Sequence, residues 1–199
     1  MKVLGICGYA RSGKDTLYET IEKYYKGNVY RVAFADPIKH DLAEFILTNF
    51  NISVWTDIDE EKDIIRPILV AYGESQRKID PLYWVKRGMY QLDFNSDDLY
   101  VFTDVRNKTE LEAIKEYGDS IFIKRAGREP ANNTEEEFTK PLESLTDYIV
   151  SFIDFSGCGL YLDEQAGVEM RRKFDNWFLS SDLYLSNPHF VETNISDKS

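Results

Sequence analysis

The sequence predicts an α/β protein in which a five-stranded parallel sheet lies between two layers of helices, a three-layer sandwich. Short apolar runs alternate with amphipathic helical patterns, a glycine-rich loop directly follows the first run, and 199 residues suit a single domain of this kind. The predicted strands are Lys2–Cys7, Val29–Phe34, Leu99–Thr103, Ser120–Lys124 and Tyr148–Ile153.

The first apolar run leads into Gly-Tyr-Ala-Arg-Ser-Gly-Lys-Asp-Thr at residues 8–16, the pattern of a phosphate-binding loop. Gly8 and Gly13 allow the backbone to turn tightly, so that its N–H groups point at an anion beside a helix N-terminus. Lys14 can reach the outer phosphates. The motif therefore predicts a P-loop NTPase fold that binds a nucleoside triphosphate through Gly8, Arg11, Ser12, Gly13, Lys14, Asp15 and Thr16.

The loop has one irregularity, because Asp15 stands where a serine or threonine usually follows the lysine. A carboxylate is a hard oxygen donor that can hold Mg²⁺ directly or through water, and Thr16 could support it. The alternative is that Asp15 only stabilises the first turn of the helix by its charge. The metal role is the one we predict.

A long helical insertion is predicted between the second and third strands. Asp36-Pro37, Arg66-Pro67 and Asp80-Pro81 each resemble a helix start, and apolar residues recur at helical spacing after them. An insertion of about 60 residues is far longer than a simple crossover requires, and it suggests a substrate-binding subdomain.

The whole chain, residues 1–199, is predicted to form one domain. A capping box from Asn107 to Glu110 starts a helix over Lys108–Tyr117, and another helix is predicted over residues 160–179. The parts are a core (1–35, 97–124 and 145–180), the insertion (36–96), a short polar lid (125–144) and a polar C-terminal tail (185–199).

A second group of polar residues follows the third strand. Asp104 and Arg106 lie at the carboxyl end of that strand, where open α/β sheets bind ligands. Asp104 is predicted to help place Mg²⁺, or else to cap the next helix. Arg106 can grip a phosphate with two hydrogen bonds, whereas Glu110 either contributes to the site or only completes the capping box.

Other candidates lie in the insertion and the lid. Arg66 and Arg77 are candidates for contacting an acceptor phosphate. Trp84 either stacks on a base or packs in the core, where its helical spacing would also place it. Arg125 and Arg128 flank Gly127 in the lid and could stabilise a transferring phosphoryl group.

Composition narrows the class of protein. The net charge of −11 argues against a nucleic-acid partner. The sequence contains no run of ~18 apolar residues, so no membrane-spanning segment is expected, and no signal peptide is predicted. Cys7 and Cys158 do not have the spacing of a disulfide framework or a zinc site, which fits a reducing cytoplasm. The acidic stretch Glu135–Glu137 is expected to be a solvated or mobile segment.

Together these segments resemble the deoxynucleoside monophosphate kinases of tailed bacteriophages, within the adenylate-kinase-like P-loop group. The Gly-Lys-Asp ending alone also occurs in phosphomevalonate kinases. One segment departs from the pattern, since Gly157-Cys-Gly159 replaces a typical Asn-Asp-Gly. The matching segments are Gly8–Thr16, Phe34–Lys39, Gly73 with Arg77 through Trp84, Thr103–Arg106 with Glu110, Ile123–Arg125, and Asp147–Val150.

The resemblance implies transfer of the ATP γ-phosphoryl group to a deoxynucleoside monophosphate with Mg²⁺, by a dimer in the cytoplasm (the host's, if phage-encoded). The implied catalytic residues are Lys14, Asp104, Arg125 and Arg128, with Asp15, Thr16 and Asp104 at the metal. The implied substrate-binding residues are Asp36, Lys39, Arg66, Arg77, Trp84, Arg106 and Glu110.

Three alternatives stay open at this point. The acceptor could be another small phosphorylated molecule, such as dephospho-coenzyme A or phosphomevalonate. The protein could be a nucleotide-binding regulator without transferase activity, or an inactive domain that retains the fold. Since an acceptor phosphate oxygen is already anionic, no strong general base is needed, and His40 and His189 are expected to be bystanders.

Overall fold

The computed structural model describes residues 3–90, 92–93, 98–125, 127–131, 133, 135–152 and 175. The strands are β1 (Val3–Cys7), β2 (Val29–Val32), β3 (Leu99–Val105), β4 (Gly118–Arg125) and β5 (Tyr148–Phe152). The helices are α1 (Lys14–Tyr24), α2 (Asp36–Phe50), α3 (Asp59–Ile79), α4 (Tyr83–Met89) and α5 (Lys108–Lys115). A π-helical turn (Glu135–Thr139) and a 3₁₀ turn (Lys140–Ser144) precede β5.

The five strands form one sheet in the order β2-β3-β1-β4-β5, and all neighbouring strands are parallel. The central strand β1 pairs on one side with β3, where Val3 lies opposite Tyr100, and on the other with β4, where Val3 lies opposite Gly118. The carboxyl ends of β1 and β3 are therefore neighbours, and this brings the loop after β1 close to Asp104. The predicted α/β fold with a five-stranded parallel sheet is confirmed.

Side chains of the sheet alternate between two buried layers, as expected for parallel strands covered on both faces. On one face Leu4 and Ile6 pack with Leu17 and Ile21 of α1. On the other face lie Val3, Cys7, Phe102, Phe122, Leu111 and Ile114, the last two from α5. Gly5 allows this close approach, because a Cβ there would lie 2.9 Å from Ile114 Cγ2.

The helical insertion has an apolar core of its own, formed by Ile46, Ile52, Val54 and Ile65. One of its contacts with the sheet is made by α4. A Cβ on Gly88 would lie 2.8 Å from the Phe34 ring, so the helix packs directly on the end of β2. The insertion is thus a helical unit with its own buried cluster, docked at the β2 side of the sheet.

The prediction that a helix starts at Arg66-Pro67 is wrong, since α3 begins at Asp59 and includes Pro67. The acidic first turn favours the earlier start, and the apolar side chains of Ile65, Ile68 and Leu69 pack across this point while Pro67 is exposed. Burial of that face offsets the hydrogen bond that proline cannot make.

Other helix boundaries differ by a few residues. The helix predicted to start at Asp36-Pro37 begins at Asp36 itself, which lies in the first turn of α2 while Ala35 is the N-cap. Near α4, Asp80 accepts from Leu82 N at 2.9 Å, and the helix begins only at Tyr83. The helix predicted over 160–179 and the tail lie outside the described residues. No helix in the described part of the chain is both long and apolar enough to cross a membrane.

Candidate functional site

The loop after β1 has the backbone geometry of a phosphate cradle. Gly8 (φ 146°), Arg11 (φ 60°) and Gly13 (φ 101°) all adopt positive φ. A Cβ on Gly8 would lie 2.6 Å from the carbonyl oxygen of Ile123, so no larger residue fits between this loop and β4. The two glycines of the motif are thus required by conformation, and Gly8 also by close approach.

Lys14 is folded back onto the loop. Its Nζ donates to the carbonyl oxygens of Gly8 at 2.8 Å and Tyr9 at 2.7 Å. Burial lowers the pKa of Lys14, and the neighbouring Arg106 charge lowers it further. The ammonium group is therefore held within the loop, and its contact with the outer phosphates of a nucleotide stays a prediction.

Ser12 gives a test of whether this loop fits a phosphate. The residue is 1 % exposed, and its hydroxyl has no hydrogen-bond partner within the described residues. A buried hydroxyl without a partner costs free energy, and a bound ligand is one way in which such a group is satisfied. Together with the glycine cradle and Lys14, this hydroxyl fits a phosphate-binding loop.

A carboxylate from the segment before β5 reaches the same loop. Glu135 Oε1 accepts from Ala10 N at 2.9 Å, and its Oε2 accepts from Ala131 N at 2.9 Å. The sequence does not indicate this contact, because three successive glutamates resemble any solvated acidic segment. Nothing in the sequence pattern distinguishes Glu135 from Glu136 and Glu137.

Asp15 lies at the first turn of α1, where its side chain is 83 % exposed. Its nearest described cation is Arg31 of β2, with Nη2 3.9 Å from Oδ1. Thr16 is half-buried, and its carbonyl accepts from the Thr20 hydroxyl at 2.9 Å. These positions agree with either role considered for Asp15, and the metal role stays a prediction. Among the described residues, no group of three or more His, Cys, Asp or Glu side chains forms a metal-binding cluster.

Asp104 joins the end of β3 to the turn after β2. Its two carboxylate oxygens accept from Phe34 N at 2.8 Å and Ala35 N at 3.0 Å. Burial raises the pKa of Asp104, whereas these two hydrogen bonds and Arg106 act in the opposite direction. The alternative that Asp104 caps the next helix is wrong, because Asn107 does so by accepting from Glu110 N at 3.0 Å.

Glu110 connects three parts of the site. Its Oε2 accepts from Arg106 N at 2.8 Å, and its Oε1 lies 3.7 Å from Arg77 Nη2 at the end of α3. The predicted capping box is only half formed, since the Glu110 carboxylate bonds Arg106 N rather than closing the box on Asn107. Burial and the Asp104 charge raise the pKa of Glu110 to about 7. The structure thus groups Lys14, Asp104, Arg106, Glu110 and Arg77 at the carboxyl ends of β1 and β3.

The remaining insertion candidates differ in exposure. Trp84 is 1 % exposed and donates from Nε1 to the carbonyl of Gly73 at 2.9 Å, which agrees with the core role. Arg66 is exposed and pairs with Asp63 at 3.1 Å. Lys39 lies 3.9 Å from Asp36 and 4.5 Å from the centre of the Trp55 ring.

In the lid, the backbone turns at Gly127 (φ 73°), and Arg128 N donates to Arg125 O at 3.0 Å. The roles predicted for these two arginines stay predictions. The insertion also carries an open cavity of about 440 Å³, lined by Pro37, His40, Lys86, Arg87 and Tyr90. Of the lining residues, Arg87 pairs with Asp41, and Lys86 pairs with Asp80 at 2.6 Å. Nothing in the sequence pattern indicates that these residues line one cavity.

Comparisons with known proteins give one family. The family model described as phosphomevalonate kinase matches residues 6–119, from β1 through the insertion and β3 to the start of β4. No curated protein sequence matches the chain.

Two solved structures are distantly similar. TT1252 from Thermus thermophilus has a TM-score of 0.39 and 10 % identity, over 90 % of this chain and 98 % of its own. An unliganded sugar kinase from Janibacter sp. HTCC2649 has a TM-score of 0.40 and 16 % identity, over 89 % of this chain and 94 % of its own.

Proposed function

Because the chain belongs to the phosphomevalonate kinase family, we propose that it transfers the γ-phosphoryl group of ATP to an acceptor that already carries a phosphate. The observation that carries this proposal is a group of cations at the carboxyl ends of β1 and β3. Glu110 holds the Arg106 backbone and pairs with Arg77, and the Arg106 charge acts on Lys14 of the P-loop. A loop that only binds ATP needs Lys14. The two arginines add cations suited to a second phosphate.

The donor side would be bound by the P-loop. Its backbone amides and Lys14 would hold the triphosphate, and the buried Ser12 hydroxyl would gain a partner there. We assign Asp15, Thr16 and Asp104 to Mg²⁺, which when bound neutralises charge on the phosphates. Asp104 could act through bound water, because each of its oxygens already accepts one backbone hydrogen bond.

The acceptor side would be bound by Arg77 and Arg106, with Asp36, Lys39 and Arg66 as further predicted contacts. Arg77 is well suited, since its side chain is 40 % exposed beside a nearly buried carboxylate that orients it. Arg125 and Arg128 are proposed to stabilise charge on the transferred group. No general base is required, because the attacking phosphate oxygen is already anionic.

For the acceptor itself, we propose a deoxynucleoside monophosphate. The support is the combination of the Gly-Lys-Asp-Thr ending, Asp104-Val-Arg106 and the Asp80-Pro81…Trp84 segment in one chain. The second candidate is phosphomevalonate, and the family match favours it. Both acceptors present a phosphate monoester, so the same arginines serve either reaction. They differ in the organic part, which the insertion would contact.

An assay of ADP release with a panel of acceptors separates these candidates. The panel holds the four deoxynucleoside monophosphates, phosphomevalonate and dephospho-coenzyme A. Lys14→Ala is the inactive variant. The matched control is Lys108→Ala, since Lys108 is 69 % exposed and, among the described residues, forms its ion pair within its own helix, with Glu112. Deoxynucleotide-dependent ADP release by the parent and by Lys108→Ala supports the first proposal.

If phosphomevalonate is the only acceptor on the panel that supports ADP release, phosphomevalonate replaces the deoxynucleoside monophosphate as the proposed acceptor. ATP binding without acceptor-dependent ADP release across the panel would contradict the transferase and favour a nucleotide-binding regulator.

A further inference from the structure

The Ala10 amide of the P-loop is engaged by an anion that belongs to the protein. Glu135 lies 125 residues away in sequence, and its Oε1 accepts from Ala10 N at 2.9 Å. The contact is exposed to solvent. It therefore lies where a dissolved anion could also reach the amide.

The features that attract a nucleotide phosphate to this loop also attract a carboxylate. Both present an anionic oxygen to backbone N–H groups near a helix N-terminus. The Glu135 charge is also felt at Lys14, whose pKa it acts to raise against the lowering caused by burial. The carboxylate thus interacts with two of the groups proposed to hold the triphosphate.

We propose that Glu135 competes with the nucleotide phosphates for the P-loop, so that ATP binds by displacing its carboxylate from Ala10. This inference rests on the proposed function only in that the loop binds a triphosphate, and it does not depend on the acceptor. Two anions at one amide repel each other. The contact therefore lowers the affinity for ATP.

Displacement also has a consequence outside the P-loop. The second oxygen of Glu135 holds Ala131 N at 2.9 Å, three residues after Arg128. While Glu135 bonds both amides, the segment that carries Arg128 is tied to the P-loop. Binding of a triphosphate removes one end of this tie, so nucleotide binding and the position of that segment are coupled.

The neighbouring residues provide a matched control. Glu137 has the same charge, lies two residues further along the π-helical turn and is exposed. Glu136 is less suitable, because it pairs with Lys140 at 3.1 Å. Glu137→Ala therefore removes one negative charge near the loop without removing the Ala10 contact, whereas Glu135→Ala removes both.

The experiment measures the Kd by isothermal titration calorimetry, in which the full chain is titrated with ATP and separately with inorganic tripolyphosphate. Ionic strength and Mg²⁺ concentration are held fixed. The proteins are the parent, Glu135→Ala, Glu135→Gln and Glu137→Ala. Loss of an exposed charge-assisted hydrogen bond predicts a Kd about fivefold lower in Glu135→Ala for both ligands. Glu135→Gln should fall between it and the parent, and Glu137→Ala should bind like the parent. If circular dichroism shows that Glu135→Ala folds poorly, the Kd of Glu135→Gln is the one compared with that of the parent.

Equal Kd values in the parent and both Glu135 variants would overturn the inference and leave the proposed function intact. Weaker binding in the Glu135 variants would also overturn it, because Glu135 would then support the nucleotide. An equal gain in ATP affinity in Glu137→Ala would mean that the loss of any nearby negative charge is sufficient. That result would contradict a specific role for the contact between Glu135 and Ala10. Absence of binding in all four proteins would contradict the nucleotide site itself, and with it the proposed function.

Discussion

Glu110 Oε1 lies 3.7 Å from Arg77 Nη2, and this pair joins the helix beside the sheet to the long helix of the insertion. Glu110 is 4 % exposed, whereas the Arg77 side chain is 40 % exposed. A buried carboxylate with a partly solvated partner costs free energy when it ionises. Glu110 lies between Arg77 and the backbone N–H of Arg106. It therefore orients both arginines of the proposed acceptor site, which is a functional reason to keep a carboxylate that is costly to ionise.

The pKa of Glu110 predicts a pH-dependent stability. Burial and the Asp104 charge raise this pKa from 4.5 to about 7, against the opposing effects of Arg77 and the Arg106 amide. Between these two pH values the folded protein binds more protons than the unfolded chain, so the free energy of unfolding falls as the pH rises. The total loss from this one group is about 3 kcal/mol at most.

Urea unfolding of the parent and Glu110→Gln at pH 5 and pH 8 measures this effect. Glu110→Gln should gain stability relative to the parent between pH 5 and pH 8, since it has no charge to bury. Asp104 and Cys7 interact electrostatically with position 110 and are present in both proteins. Comparing the two proteins at each pH therefore subtracts the contribution of these two groups to the pH dependence. A difference that does not change with pH would contradict the raised pKa.

Arg77→Ala is expected to weaken acceptor binding. Removing a cation that contacts a phosphate should raise the acceptor KM by about tenfold or more, because such a contact contributes roughly 1.5–3 kcal/mol. The KM for ATP should change little. Lys78→Ala is the control, since Lys78 is the next residue, carries the same charge and is exposed. Equal acceptor KM values in the two variants would contradict a contact between Arg77 and the acceptor phosphate.

Asp15 has two possible roles that steady-state kinetics can separate. If it places Mg²⁺, Asp15→Ala should lower kcat by about tenfold or more and raise the Mg²⁺ concentration needed for half-maximal rate. If its charge only supports the first turn of α1, the variant should lose about 0.5 kcal/mol of stability with kcat unchanged.

We expect the first outcome. Arg31→Ala serves as the control, because an exposed ion pair of 3.9 Å should contribute little to stability.

Asp104→Asn tests the joint between β3 and the β2–α2 turn. An amide can accept from one of the Phe34 and Ala35 N–H groups, but its NH₂ would face the other. One buried donor is then left unpaired, so the free energy of unfolding should fall by about 1–3 kcal/mol. A fall in stability without a change in Mg²⁺ dependence would assign Asp104 to the scaffold alone.

The sheet and the P-loop were predictable because their signals are local. Val3–Cys7 is a continuous apolar run, and the glycine spacing after it requires a particular backbone. Helix starts were less predictable, since Pro67 suggested a boundary that burial of Ile65 and Leu69 overrides. At that point tertiary packing outweighs the tendency of proline to begin a helix, and such packing cannot be seen in the sequence alone.

The site was predictable where it depends on strand ends and not where it depends on side-chain direction. Asp104 and Arg106 were expected at the carboxyl end of β3, and they lie there. The two amides that Asp104 accepts from are 70 and 69 residues away, and the contact of Glu135 with Ala10 spans 125. Such long-range pairs leave no spacing pattern in one sequence.

The central claim is that the phosphoryl group moves from ATP to an acceptor phosphate rather than to water. Incubation with ATP labelled at the γ-phosphate and each of the two proposed acceptors, a deoxynucleoside monophosphate and phosphomevalonate, followed by separation of the products, tests it directly. The account predicts label in the acceptor diphosphate with the parent and the Lys108→Ala control, and none with Lys14→Ala. Label found only in inorganic phosphate, at a rate unaffected by any acceptor, would contradict it.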